Sequence, residues 1–249
     1  MFRWPYQPKL LVAATPLEFR CVSGVSADVP TRPNEVDEPG WHLQAITTDV
    51  ADGHVVFSGL GAANAAAATA WAIGAEAMTP GCVVNLGIAG ALPGSDLRAG
   101  DVVIAGESVF YEEGIITPEG FADLESLGFG LVPGSPDWCR GNRLAADPEF
   151  FEWMLGALEP LAPRSGVVAT VSRCSGTDEA AAQVQSVTGA VAEAMEGAAV
   201  LLTARRLGIP AVEVRVISNN CGNRDEQHWD MDRACEVIGE VMKTMQGCL

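Results

Sequence analysis

Short apolar runs alternate along the chain with Ala-rich or amphipathic stretches, and clusters of Gly, Pro and polar residues separate them. Lys9–Ala14 is apolar behind its lysine and predicts a buried strand. Trp41–Asp49 and Gly53–Ser58 predict a hairpin around Asp52-Gly53, a residue pair suited to a tight turn. Ala62–Met78 is rich in Ala, free of Pro, and predicts a helix. Cys82–Leu86 predicts a strand, ended by the small-residue turn Gly87-Ile88-Ala89-Gly90. Asp101–Ala105 predicts another, which Ser108–Tyr111 continues or restarts. Residues 112–145 lack clean periodicity and read as loop.

The second half repeats the alternation. Pro148–Leu158 reads as helix and Gly166–Val171 as strand. Asp178–Val187 reads as a helix capped by Thr177. A short extended run, Val191–Ala194, leads to the helix Gly197–Leu207, which Gly208 and Pro210 end. Ala211–Ile217 has the pattern of a buried central strand, and Asp230–Met245 closes the chain as a helix. This order predicts an α/β fold: one three-layer α/β/α domain over 1–249, with a mixed, mostly parallel central sheet. Ligands of such sheets gather at the carboxyl ends of the strands.

Composition narrows the function. Against 15 basic side chains stand 32 acidic ones, a formal charge of -17. Such a surface repels phosphate backbones and anionic lipid, so neither nucleic acid nor a membrane is an expected partner. No stretch reaches the ~18 uncharged apolar residues of a membrane span. The N-terminal apolar run is too short for a secretory core, and a cytoplasmic protein is expected. The seven cysteines are widely spaced without C-x-x-C, and the three histidines share no ligand spacing. Neither a disulfide framework, a metal site nor a cofactor is expected.

Five segments after the strands carry candidate chemistry. Glu18, in Thr15-Pro16-Leu17-Glu18, is either a general base for water or a carboxylate favoured by a helix N-terminus. Ser58–Asn64 and Asn85–Leu92 are glycine-rich and are either tight turns or loops whose backbone approaches a ligand. Glu196, in Glu193-Ala194-Met195-Glu196-Gly197, can accept hydrogen bonds from vicinal hydroxyls or start a helix. Val214–Asp225 opens from a buried strand into a dense polar run, the most site-like of the five.

Taken together, Asn85-x-Gly87-x-Ala89-Gly90, Met195-Glu196 before a helix, and Arg215-Val216-Ile217-Ser218 at a strand end resemble the nucleoside phosphorylase/nucleosidase superfamily over nearly the whole chain. Within it the likeness is to the futalosine hydrolase family of the alternative menaquinone pathway. Asn85–Leu92, Ile116–Phe121, Glu193–Gly197 and Ile217-Ser218-Asn219-x-x-Gly222-x-Arg224-Asp225-x-x-x-Trp229 carry it. The loop at Glu112-Glu113 and residues 21–42 depart from the pattern. The resemblance implies a nucleoside phosphorylase-like fold, a small-molecule nucleoside substrate and a homo-oligomer. It also implies that Met195 and Glu196 hold ribose, that Asn219 reads the purine at N7 and position 6, and that Glu18 activates water. Gly87, Ala89, Ser218 and Arg224 join the expected substrate contacts. Phe110 and Tyr111 either close a neighbouring subunit's site or belong to the core.

Hydrolysis is expected over phosphorolysis. Bacterial phosphorylases of the superfamily place Arg where Asn85 stands, and no other basic residue lies in the Gly59 or Gly87 loops. Glu18 would also face the phosphate, a repulsion of ~4 kcal/mol at ~4 Å and an effective dielectric of ~20. Asn219 can donate to a 6-oxo group and accept N7–H, which suits hypoxanthine better than adenine. The acid that protonates N7 is either Asp225 or water. The alternatives are an adenine-releasing methylthioadenosine or adenosylhomocysteine nucleosidase, a purine nucleoside phosphorylase, and a nucleoside-binding or storage protein of the same fold.

Overall fold

The computed structural model describes residues 9–15, 18, 43–48, 51–74, 80–134 and 136–247. In chain order its strands are β1 (Lys9–Ala13), β2 (Leu43–Thr48), β3 (Ala51–Phe57), β4 (Cys82–Ala91), β5 (Val102–Phe110), β6 (Gly114–Thr117), β7 (Gly120–Asp123), β8 (Cys139–Arg140), β9 (Arg143–Ala145), β10 (Arg164–Thr170), β11 (Ala192–Ala194) and β12 (Ala211–Asn220). The α-helices are α1 (Ala62–Gly74), α2 (Pro148–Ala157), α3 (Asp178–Thr188), α4 (Gly197–Arg206) and α5 (Met231–Gly247).

The strands β3, β1, β4 and β12 run parallel side by side. β12 then pairs antiparallel with β5, β5 parallel with β10, and β10 parallel with β11. β11 returns antiparallel to β4, so five strands close a ring in the middle of the mixed sheet. Strand periodicity assigns the faces. Leu10 and Val12 join one buried cluster with Ala65, Ala68 and Ala72 of α1 and Ala198–Leu201 of α4. Leu11 and Ala13 join the opposite cluster with Phe150 and Met154 of α2 and Ile238, Val241 and Met242 of α5. The expected α/β fold with helices on both faces is present. Thr177 caps α3 as expected, its side chain accepting from the Ala180 N–H.

Four expectations are corrected. Asp52 and Gly53 are not a turn: they lie in β3, paired with Thr47 and Ile46, and the connection falls on residues 49–50, outside the described residues. Gly87–Gly90 is not a turn either. It is the second half of β4, paired with β12 and β11. Residues 112–145 contain the hairpin β6–β7 and the edge strands β8 and β9. Finally, Cys235 on α5 is disulfide-bonded, whereas Cys82, Cys139, Cys174 and Cys221 form no disulfide.

Candidate active site

The carboxyl ends of β1, β4, β10 and β12 open into one cavity of about 430 Å³, within the usual size range of small-ligand sites. Ala14, Thr15 and Glu18 follow β1, Cys174–Gly176 follow β10, and the ends of β4 and β12 contribute Ile88–Gly90 and Ser218-Asn219. Among the described residues, three carboxylates line it, Glu18, Glu193 and Glu196, and one cation, Arg224.

Glu18 is buried. Its Oε2 accepts from the Ala14 N–H at 3.0 Å, the Thr15 N–H at 2.9 Å and Thr15 Oγ1 at 3.2 Å. The Glu18 N–H returns a bond to Thr15 Oγ1 at 3.3 Å, the reciprocal exchange of a capping box. The helix-start reading of Glu18 is therefore realised. The same carboxylate also reaches across the sheet, where Oε1 accepts from the Ile88 N–H at 3.0 Å, and it lines the cavity. Burial pushes the Glu18 carboxyl above its ordinary value, against the pull of the Arg215 guanidinium. A carboxyl raised by burial is a stronger proton acceptor once ionised.

Beneath Glu18 lies a charged network inside the sheet. Arg215 is fully buried on β12 and donates from Nε to Glu213 at 2.8 Å. Its Nη2 donates to Asn85 Oδ1 and stands 3.5 Å from Glu196 Oε2, and its Nη1 reaches the Ile88 carbonyl at 3.4 Å. The other Glu213 oxygen accepts from Ser108 Oγ. Gly87 makes room for this arrangement. A Cβ there would overlap Glu18 Oε1 and stand 2.6 Å from Arg215 Nη1. Gly87 itself does not line the cavity, so its part is to admit the Glu18–Arg215 approach rather than to touch a ligand.

Asn85 turns away from the cavity. It donates to the Val12 carbonyl at 3.0 Å while accepting from Arg215. Glu196 occupies the N-cap position of α4 but makes no side-chain cap bond. Its Oε1 accepts instead from the Gly61 N–H at 3.0 Å. Gly61 holds φ +92°, a left-handed conformation that glycine adopts without strain. The glycine-rich turn after β3 thus aims an N–H at Glu196, which leaves that carboxylate fixed beside the cavity.

The end of β12 brings uncharged polar groups to the cavity. Ser218 Oγ stands 2.9 Å from Asn219 Oδ1 as donor, and 3.3 Å from the Ala89 carbonyl. Asn219 Nδ2 donates to the Asn220 carbonyl at 3.0 Å. These contacts orient the amide and leave it one N–H and acceptor capacity. Close by, Glu193 accepts from the Ser175 N–H at 2.7 Å and Ser175 Oγ at 2.6 Å. Burial, with Glu193 beside it, pushes the Cys221 thiol well up, so it stays protonated and inert at neutral pH.

Of the expected residues, the structure brings Glu18, Ala89, Met195, Glu196, Ser218, Asn219 and Arg224 to one cavity. Asp225 is not among its lining residues and is exposed on the surface. Ser175 and Gln227 were not expected, and Arg215 was singled out only as part of the Val214–Asp225 segment, with no role given to it. The signal for Arg215 was present: Glu213 and Arg215 stand two apart in an otherwise apolar strand, and so share one face. Ser175 follows the carboxyl end of β10, a position the same strand-end rule singles out.

The chain matches the family model of the phosphorylase superfamily over residues 8–248. A stretch of 155 residues is 37% identical to a futalosine hydrolase of Acidothermus cellulolyticus and covers 61% of this chain and 59% of that relative. A futalosine hydrolase of Streptomyces coelicolor is 31% identical over 223 residues, 88% of this chain and 87% of its own. The solved futalosine hydrolase of Helicobacter pylori strain 26695 shares the fold, with a TM-score of 0.75 over 97% of each chain at 19% identity. With the family model spanning nearly its full length, the chain belongs to the phosphorylase superfamily.

Proposed function

We propose that this protein hydrolyses the N-glycosidic bond of futalosine, releasing hypoxanthine and dehypoxanthine futalosine, in the alternative route to menaquinone. The observation that carries the reading is the pairing, in one cavity, of the buried Glu18 carboxylate with the oriented Asn219 amide. Relatives named futalosine hydrolase at 37% and 31% identity support it.

Glu18, ionised, takes a proton from the attacking water, whose oxygen bonds to the anomeric carbon as the bond to N9 breaks. The electron pair leaves with the base, which gains a proton at N7. Glu196 accepts from the ribose hydroxyls beside Met195 and stabilises positive charge developing on the sugar. Asn219 donates to O6 and accepts from N7–H. Exposed Asp225 lies outside the lining, which favours water as the source of the N7 proton. Phosphorolysis is disfavoured because Asn85 faces inward, Arg215 is committed to Glu213 and Asn85, and Glu18 and Glu196 repel a dianion. A nucleoside-binding protein would need no water-activating carboxylate.

We take 1–249 as one unit, since β12 joins β4 to β5 across the sheet. We place it in the cytoplasm, since four of the five described cysteines form no disulfide. Among the described residues no helix is long and apolar enough to cross a membrane. We also propose a homo-oligomer. Phe110 is core, but Ile115, Ile116 and Phe129 expose large apolar side chains on and after the β6–β7 hairpin, and such a patch fits a subunit interface. Sedimentation at several concentrations tests this, and a concentration-independent monomer contradicts it. The activity is tested by incubating purified protein with futalosine, inosine and methylthioadenosine and identifying the free base. Hypoxanthine from futalosine is expected. Preferred release of adenine from methylthioadenosine would move the assignment to that nucleosidase.

A further inference from the structure

Arg224 stands apart from the other charges of the cavity. The interior carboxylates are buried, whereas Arg224 is exposed at the mouth and forms no ion pair among the described residues. Its guanidinium carbon lies 5.1 Å from the centre of the Trp229 ring, and Trp229 itself is 46% exposed. At the mouth of the cavity, an exposed arginine held against an exposed indole offers a ligand both a positive charge and an aromatic face.

The pair is held in place by its neighbours. Gln227 Oε1 accepts from Arg224 Nη1 at 3.0 Å and from Trp229 Nε1 at 3.1 Å. Gln227 Nε2 in turn donates to the Ser175 and Gly222 carbonyls, each at 2.9 Å. The Arg224 N–H donates to the Gly176 carbonyl at 3.0 Å, and Trp229 bridges Asn219. The segment is thus tied to the strand end that carries Asn219. Among the described residues one guanidinium nitrogen is engaged, and the other N–H donors can meet a planar acceptor. That geometry fits a carboxylate, which arginine grips with two parallel bonds.

We propose that Arg224 and Trp229 form the subsite for an aromatic carboxylate at the end of the nucleoside remote from its base, the guanidinium taking the carboxylate and the indole packing on the ring. This rests on the futalosine hydrolase reading, whose substrate ends in a benzoate. It assigns that end to a preformed pair at the cavity mouth. It also explains how a cavity lined by three carboxylates accepts an anionic substrate: the negative group stays at the rim, away from Glu18 and Glu196.

The test pairs a change in the protein with a change in the ligand. Futalosine and its methyl ester are titrated by calorimetry into the Glu18→Gln enzyme, with Arg224 intact or replaced by Met or Lys. Hypoxanthine release by the parent enzyme is measured alongside. With Arg224 intact, esterification should weaken binding by about 10- to 100-fold, the range for a charge-assisted bond. In Arg224→Met acid and ester should bind alike, and Arg224→Lys should recover part of the difference. In turnover, Arg224→Met should lower the futalosine-to-inosine ratio of kcat/KM through KM. Equal affinities for acid and ester with Arg224 intact overturn the subsite. So does a preference for the acid that survives in Arg224→Met. Competition by inorganic phosphate that disappears in Arg224→Met would give the arginine to phosphate and overturn it as well. A parent that binds futalosine through Arg224 but releases no hypoxanthine sinks the hydrolase reading and leaves the subsite standing.

Discussion

The two walls of the cavity solve opposite problems. One wall is ionic and sealed: Glu18 and Glu196 lean on the buried Arg215–Glu213–Asn85 network, with backbone N–H groups from Ala14, Thr15, Gly61 and Ile88 filling in. The other is neutral: Ser218 and Asn219 offer one oriented amide. Buried charge is costly, and it persists where every member is paired and bonded. An oriented amide costs little, yet it distinguishes a donor from an acceptor on the ligand. The ionic wall therefore suits chemistry and the neutral wall suits selection. Changes on the first should cost rate and stability, and changes on the second should redirect preference.

The largest effect is expected at Glu18. Glu18→Gln should lower turnover by about 10²–10⁴-fold, the usual cost of removing a general base, while substrate still binds. Single-turnover rates with equilibrium binding check this, and a near-normal kcat would reduce Glu18 to its capping-box role. Next comes the hub. Arg215→Met leaves Glu213, Glu196 and Glu18 without their cation, and breaking such a buried set costs about 3–5 kcal/mol. Urea denaturation of both proteins reads it. A loss below ~1 kcal/mol would mean that the carboxylates do not depend on Arg215.

On the neutral wall, Asn219→Asp should turn preference from 6-oxo toward 6-amino purine. An ionised Asp faces O6 with a second acceptor, a mismatch of about 1–3 kcal/mol, or about ten- to a hundredfold. The readout is kcat/KM for futalosine over that for its 6-amino analogue, in both proteins. An unchanged ratio would remove position 6 from Asn219. The smallest effect is in pH. Burial raises the Glu18 carboxyl, and only its ionised form accepts a proton. Activity should therefore fall with acid through an apparent pKa above the ordinary glutamate value of about 4.3, and Glu18→Gln should lack that limb. A limb at or below the ordinary value contradicts the burial argument.

Much of this was legible in the chain because the relevant signals were local. Glu18, Glu196 and Asn219 each sit where a strand ends or a helix begins, and the strand-end rule finds them without contacts. The alternation of Leu10, Leu11, Val12 and Ala13 between two faces was equally readable. The misreadings share a physical cause. Gly87 and Gly90 looked like turn residues because glycine weakens a strand. They remain in β4 because Glu18 and Arg215 fill the Cβ space of the first, and Cys221 that of the second. Those neighbours come from distant parts of the sequence, and no local pattern carries them. Asp52-Gly53 failed similarly: pairing with Thr47 and Ile46 outweighed its turn propensity.

The central claim is that water, not phosphate, enters at Glu18. The direct measurement is futalosine turnover by the purified enzyme in phosphate-free buffer and again with millimolar phosphate, with the sugar product identified each time. We expect the same rate in both, with hypoxanthine and the free sugar as products. A rate that requires phosphate, with a sugar 1-phosphate as product, would contradict the account.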